Sequence, residues 1–270
     1  MTEQRINAAD NPELANKLIQ QVLAEGSTPA PQSAPVADYL PGDPKVRLPF
    51  GYRTEEGEWI HEAEIVELNG FAEEALARPM PDGRRYAAIL EHTVDKIGGK
   101  EVTREMLQRL SAGDRNLLLL AVRQLSYGPV KLVEYPCEHC GELVDHEIDL
   151  LKDVPVKEPS EEDRSWTVKL SKGAAVLRAL DGAGQVALQD AGDKNGAELL
   201  TMALKETVDS INDWPVTGVD DLRRLTARDR RALNESLEAH SHGPMLDETR
   251  KACPNCGEVN LLPLTMSGLF

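Results

Sequence analysis

Apolar residues recur at helical spacing over residues 10–26, where Leu14, Leu18, Ile19, Val22 and Leu23 fall on one face. Asn11 can cap that helix, Pro12 suits its first position and Gly26 ends it. Prolines and small residues follow over 27–44; they cannot build a core and read as an extended tether. An isolated helix of this length is marginal in water, so its apolar face is a candidate docking surface, on a partner or on the body of the same chain.

The period then changes. Residues 56–70, EGEWIHEAEIVELNG, alternate in the manner of a strand or hairpin arm. Residues 83–99 carry Tyr86, Ile89, Leu90, Val94 and Ile97 at helical spacing, and 103–111 read as a second helix. A third begins where Ser111 and Asp114 have capping-box spacing and runs to Gly128. Leucines 117 to 120 cover all its sides, which predicts the centre of a core.

The same succession recurs. HTVDKI at 92–97 is echoed by ETVDSI at 206–211, LQRLSAGDR at 107–115 by LRRLTARDR at 222–230, and YGP at 127–129 by HGP at 242–244. The offset drifts only from 114 to 116 residues, which predicts an internal duplication. The expected fold is α+β: a mainly helical duplication with short strands. Residues 1–45 form the helix and tether, 46–156 the first repeat, 157–164 a charged linker and 165–270 the second repeat. The second repeat opens on a strand at 165–173, where Trp166 echoes Trp59, and residues 182–196 read as a loop. Its long helix keeps the cap pair Thr226 and Asp229 but has fewer apolar positions, so this half is expected to be the more exposed one.

Each repeat ends in the same short motif, CEHCGE at 137–142 and CPNCGE at 253–258. A structural zinc takes four ligands, and each CxxCG knuckle offers two. Together Cys137, Cys140, Cys253 and Cys256 predict one shared, zinc-ribbon-like thiolate site joining the halves. Two separate metals, completed by His139, His146 or His242, are a less economical arrangement. A redox pair would need its CxxC to open a helix behind a buried strand, whereas the flanking segments here read as extended. Buried, inert thiols would not be expected to repeat the spacing.

The composition of 30 Lys plus Arg against 46 Asp plus Glu gives a net charge of −16, which disfavours nucleic-acid binding. The densest basic run, 221–231, is interleaved with aspartates. No basic n-region precedes an apolar segment, and no apolar stretch is long enough to cross a membrane, so neither a membrane nor an exported location is expected. No nucleotide-binding or hydrolase motif occurs, and a four-cysteine site leaves no open metal position, so no enzymatic activity is expected.

The order of the strand, EEALAR, TVDKIGG, GDRNLLLLAVRQLSYG and CEHCGE followed by VDHEIDLLKDVPV resembles the baseplate hub assembly chaperones of the T4 type, found in contractile-tailed phages and related contractile injection systems. The resemblance is close over residues 51–156 and looser in the second repeat, where GDR becomes ARDR. It implies a non-enzymatic role, with a baseplate hub or tail-tube initiator protein as partner in the bacterial host cytoplasm. Retention as a structural part of the virion is the alternative reading.

Overall fold

The computed structural model describes residues 44–192, 194–262 and 264–270. The predicted amphipathic helix, with Leu14, Leu18, Ile19, Val22 and Leu23, lies outside the described residues.

Strand β1 (Lys45–Arg53) pairs antiparallel with β2 (Trp59–Ile65), and helices α1 (Gly70–Leu76) and α2 (Asp82–Thr93) follow. Strands β3 (Val94–Ile97) and β4 (Lys100–Glu101) complete a four-stranded sheet in the order β1-β2-β3-β4. A short α3 (Arg104–Arg109), a long α4 (Ala112–Tyr127) and the hairpin of β5 (Val130–Pro136) and β6 (Leu143–Asp149) come next. Strand β7 (Val156–Lys157) and a 3-10 turn (Glu161–Arg164) then lead into β8 (Ser165–Leu170) and β9 (Gly173–Arg178).

From there the element order repeats. Helices α5 (Gly182–Gln189) and α6 (Gly196–Thr207) precede β10 (Val208–Ile211) and β11 (Trp214–Pro215), in a sheet ordered β11-β10-β9-β8. A short α7 (Val219–Arg223) and a long α8 (Ala227–Ala239) follow. Strand β12 (Gly243–Pro244) pairs with β7, and the chain closes with the hairpin of β13 (Arg250–Ala252) and β14 (Val259–Leu261). The class is α+β, built of helices on small antiparallel sheets.

Strand takes a larger share than the helical spacing suggests. The helix read through residue 97 stops at Thr93, because Val94 and Ile97 turn into the sheet opposite Ile65 and Ala63. Gly98 and Gly99, at φ +59° and +76°, then close a tight hairpin into β4. In the second half Asn212 and Asp213 take the same left-handed region, at φ 51° and 64°. The segment read as a loop at 182–196 contains α5, whose first turn is held by Asp181 accepting from Gly184 N at 2.9 Å. The charged linker is also ordered: Asp163 is buried, accepts from Ser160 N at 2.6 Å and meets the His240 ring at 2.6 Å.

The two long helices are fixed in the same way. Ser111 Oγ and Thr226 Oγ1 each accept from the backbone N–H three residues on, as capping requires. Neither carboxylate reaches the backbone N–H of its cap residue, although Asp229 accepts from Thr226 Oγ1 at 2.8 Å. Asp114 instead accepts from Phe50 N (3.2 Å) and Gly51 N (2.8 Å), and Asp229 from Ser171 N (2.7 Å) and Ser171 Oγ (2.6 Å). Each helix thereby clamps the first hairpin of its own half. The next residue is also matched: Arg115 donates to Leu107 O at 2.8 Å and Arg230 to Leu222 O at 3.4 Å.

Leucines 117 to 120 are all buried at the centre of a core of 26 described residues, which also takes in Leu262, Leu264, Met266 and Leu269. The second half's core has only seven, so its packing is thinner. Polar contacts join the halves. Ala112 N donates to Leu180 O and Gly182 N to Leu110 O, both at 2.8 Å, and Arg115 Nε donates to Gln185 Oε1 at 2.8 Å. The His242 ring stacks on Phe50 at 4.6 Å and sets Nε2 2.9 Å from Ser111 Oγ. Position 113 must be glycine, since a Cβ there would overlap the His242 ring and backbone.

Burial pushes His242 down to about 4 from the usual 6.5. Between those values the unfolded chain holds the extra proton, so this residue's contribution is complete above pH 6.5 and is lost as pH falls toward 4. The difference in urea stability between the protein and its His242→Gln variant is expected to change by about 2 kcal/mol between pH 7 and pH 5, since the opposing proton uptake of Asp114, raised to about 6 by burial, is common to both. A difference between the two proteins that stays constant from pH 7 to pH 4 would show that His242 does not contribute to the acid response.

Candidate metal centre

The hairpin of β5 and β6 ends in a tight turn that aims both of its thiols the same way. Cys137 N donates to Glu142 O at 2.9 Å, and Gly141 N to Cys137 O at 2.8 Å. Gly141 sits at φ +75°, which favours glycine, and His139 N points at Cys137 Sγ from 3.4 Å. The hairpin of β13 and β14 repeats this bond for bond. Cys253 N donates to Glu258 O (2.7 Å), Gly257 N to Cys253 O (2.9 Å) and Asn255 N to Cys253 Sγ (3.4 Å), with Gly257 at φ +79°.

The structure brings the four sulfurs together. Cys137 Sγ lies 3.7 Å from Cys256 Sγ and Cys140 Sγ 4.0 Å from Cys253 Sγ, and all four are within 4.8 Å of one another. Disulfide bonds would need about 2.0 Å. A tetrahedral ion with metal–sulfur bonds of about 2.3 Å sets its sulfurs about 3.8 Å apart, so this group can hold one metal ion. Cys137 and Cys253 are buried, while Cys140 and Cys256 face outward.

The electrostatics agree with a cation at the centre. The backbone N–H groups of Cys140 and His139 pull the Cys137 thiol down to about 6. The backbone at Glu258 draws Cys256 down too, but burial and the sulfurs of Cys137, Cys253 and Cys140 push it up to about 12. The first thiol ionises readily and the last resists while no cation is there to neutralise the set.

Asn260 on β14 registers one hairpin on the other. It is buried, and its Oδ1 accepts from Glu138 N at 3.1 Å. The His139 ring reaches Val259 O at 3.3 Å. Nothing in the spacing of the cysteines pointed to Asn260; the only clue was a polar residue between the apolar Val259 and Leu261. None of the three histidines weighed as ligands joins the sulfur cluster. His139 is committed to the Val259 carbonyl, His242 to the contact with Ser111, and His146 is buried within β6.

A family model described as T4 bacteriophage base plate protein matches residues 84–260, about two thirds of the chain and a span holding both knuckles. The chain belongs to that family of baseplate proteins. No curated protein and no solved structure matches it. Among the described residues no helix is long and apolar enough to cross a membrane.

Metal occupancy can be read from thiol reactivity. The purified protein is expected to show almost no thiol reactive toward Ellman's reagent, and four per chain once a strong chelator is added. Chelation should also lower the melting temperature. Four reactive thiols in the untreated protein, with no effect of chelator on stability, would contradict a metal-filled site.

Proposed function

We propose that this chain is a non-enzymatic, zinc-binding assembly protein for the baseplate hub of a contractile tail or injection system, acting in the bacterial host cytoplasm. Membership of the baseplate family carries this reading. Zinc is the ion that best fits four thiolates at tetrahedral spacing. Such a site is coordinatively closed, with no position left to activate water, which supports a structural role. A duplication of one ancestral unit is supported by the repeated element order and by the matched bonds of Asp114 with Asp229, Arg115 with Arg230, and knuckle with knuckle.

The knuckle hairpins also supply a surface suited to a protein partner. Leu132 and Leu143, 64% and 60% exposed, stand on the outer face of β5 and β6, and Val259 and Leu261 are exposed on β14. The exposed carboxylates Glu134, Asp145 and Glu147 share the first of these faces and make no ion pair among the described residues. An apolar face rimmed with acid fits a hub or tail-tube initiator surface with apolar and basic groups, kept covered until its neighbours arrive.

The family's description as base plate protein favours a second reading in which the chain stays in the particle. Mass spectrometry of purified particles separates the two, since a departing chaperone is absent from them.

Hub subunits co-expressed with this chain are expected to stay soluble, and to precipitate without it. Replacing Leu132 and Leu143 together by Asp should reduce the recovered complex by roughly tenfold or more, given the apolar area lost, with metal content unchanged. Equal solubility with and without the chain would sink the proposal.

A further inference from the structure

A cavity of about 280 Å³ opens where the two halves meet, and its lining reverses the charge of the rest of the molecule. Arg53 and Trp59 come from the first hairpin, Arg109 from the end of α3, Arg164 from the connecting turn, and Arg178 and Asp181 from the end of β9 and the residues after it. Four guanidinium groups thus converge with one carboxylate in a chain of net charge −16. Asp181 is already paired with Arg178 at 3.0 Å, and Arg178 also binds Asp209 at 3.1 Å.

Of the other three cations, Arg164 has one buried carboxylate within electrostatic reach, Asp114. Among the described residues no carboxylate pairs with Arg53 or Arg109. The ion pair of Arg164 is with Glu161, which is 88% exposed. Each guanidinium is held instead by an aromatic face. Arg164 lies 3.5 Å over the Trp59 ring and 4.7 Å from Phe50, Arg53 lies 5.9 Å over Trp59, and Arg109 lies 5.4 Å over Tyr52. Stacking uses the flat face of a guanidinium and leaves its N–H edge free to donate. Arg109 Nη2 donates to Arg53 O at 3.1 Å, which ties these two positions together. Arg164 Nη1 is buried and has no protein acceptor.

We propose that this cavity binds a small, multiply charged oxyanion of the phosphate class, held by the N–H edges of Arg53 and Arg109, with the positive charge of Arg164 beside them. Guanidinium forks match the oxygens of such an anion, and the excess of four cations over one carboxylate in the lining favours more than one negative charge. The cavity is at the lower limit of ordinary ligand pockets, which suits a bare phosphate rather than a whole nucleotide. A bound anion would bridge the first hairpin, α3 and the turn leading into the second half. This site is distinct from the sulfur cluster and does not rest on the assembly reading.

Isothermal titration calorimetry with inorganic phosphate on the metal-loaded full chain, at an ionic strength of about 20 mM to limit screening, tests it. One phosphate per chain is expected, with acetate binding more weakly. Replacing Arg53 and Arg109 together by Gln should weaken binding by roughly tenfold or more, as loss of two charged donors implies. Arg231→Gln on the exposed face of α8 should change nothing. Both substituted pocket residues are exposed, so the variant is expected to fold, and its metal content and circular dichroism are checked alongside. No phosphate binding, equal binding by the double variant, or tighter binding of acetate would each overturn the proposal.

Discussion

Four sulfurs from two hairpins far apart in sequence meet within 4.8 Å, and much of the architecture can be understood as what delivers them there. Cys137 and Cys256 are 119 residues apart, yet their sulfurs lie at 3.7 Å. Loop closure over that distance is unfavourable unless the intervening chain is itself folded. Here it is folded as a sheet, a pair of helices and a capped long helix, with the pairing of β12 to β7 fixing where the last hairpin begins.

The halves share construction but not weight. The leucine-rich α4 anchors a large core that also collects the C-terminal residues, through Leu269 and the bond from Arg123 Nε to its carbonyl at 2.7 Å. The corresponding α8 buries little besides Leu233 and Asp229. The second half is therefore held to the first largely by directional contacts: backbone pairs at Leu110 and Leu180, Gln185 between Arg115 and Asn116, His242 on Phe50, and the knuckles. Directional contacts fix orientation closely, and the His242 contact makes the junction sensitive to acid.

Some of this was legible in the sequence and some was not, for identifiable reasons. The cysteine pairs could be read because CxxCG twice in one chain leaves few chemical alternatives. The cap at Ser111 could be read, but its Asp114 faces a hairpin more than sixty residues earlier, a contact no local rule supplies. Val94 and Ile97 continue the helical spacing of Leu90, so period alone placed them in a helix; their β-branched side chains and the glycines behind them were the opposing signal. Arg164 stood in a charged run that reads as solvated linker, whereas its stacking partners Trp59 and Phe50 lie in another strand pair, so its role at the junction left no trace in spacing.

The central claim is that a single metal ion, coordinated only by sulfur, clasps the two hairpins. X-ray absorption spectroscopy of the purified native protein at the zinc edge tests it most directly. One zinc per chain with a single shell of four sulfurs at about 2.3 Å is the predicted result; a shell of nitrogen or oxygen ligands, or no stoichiometric metal, would contradict it.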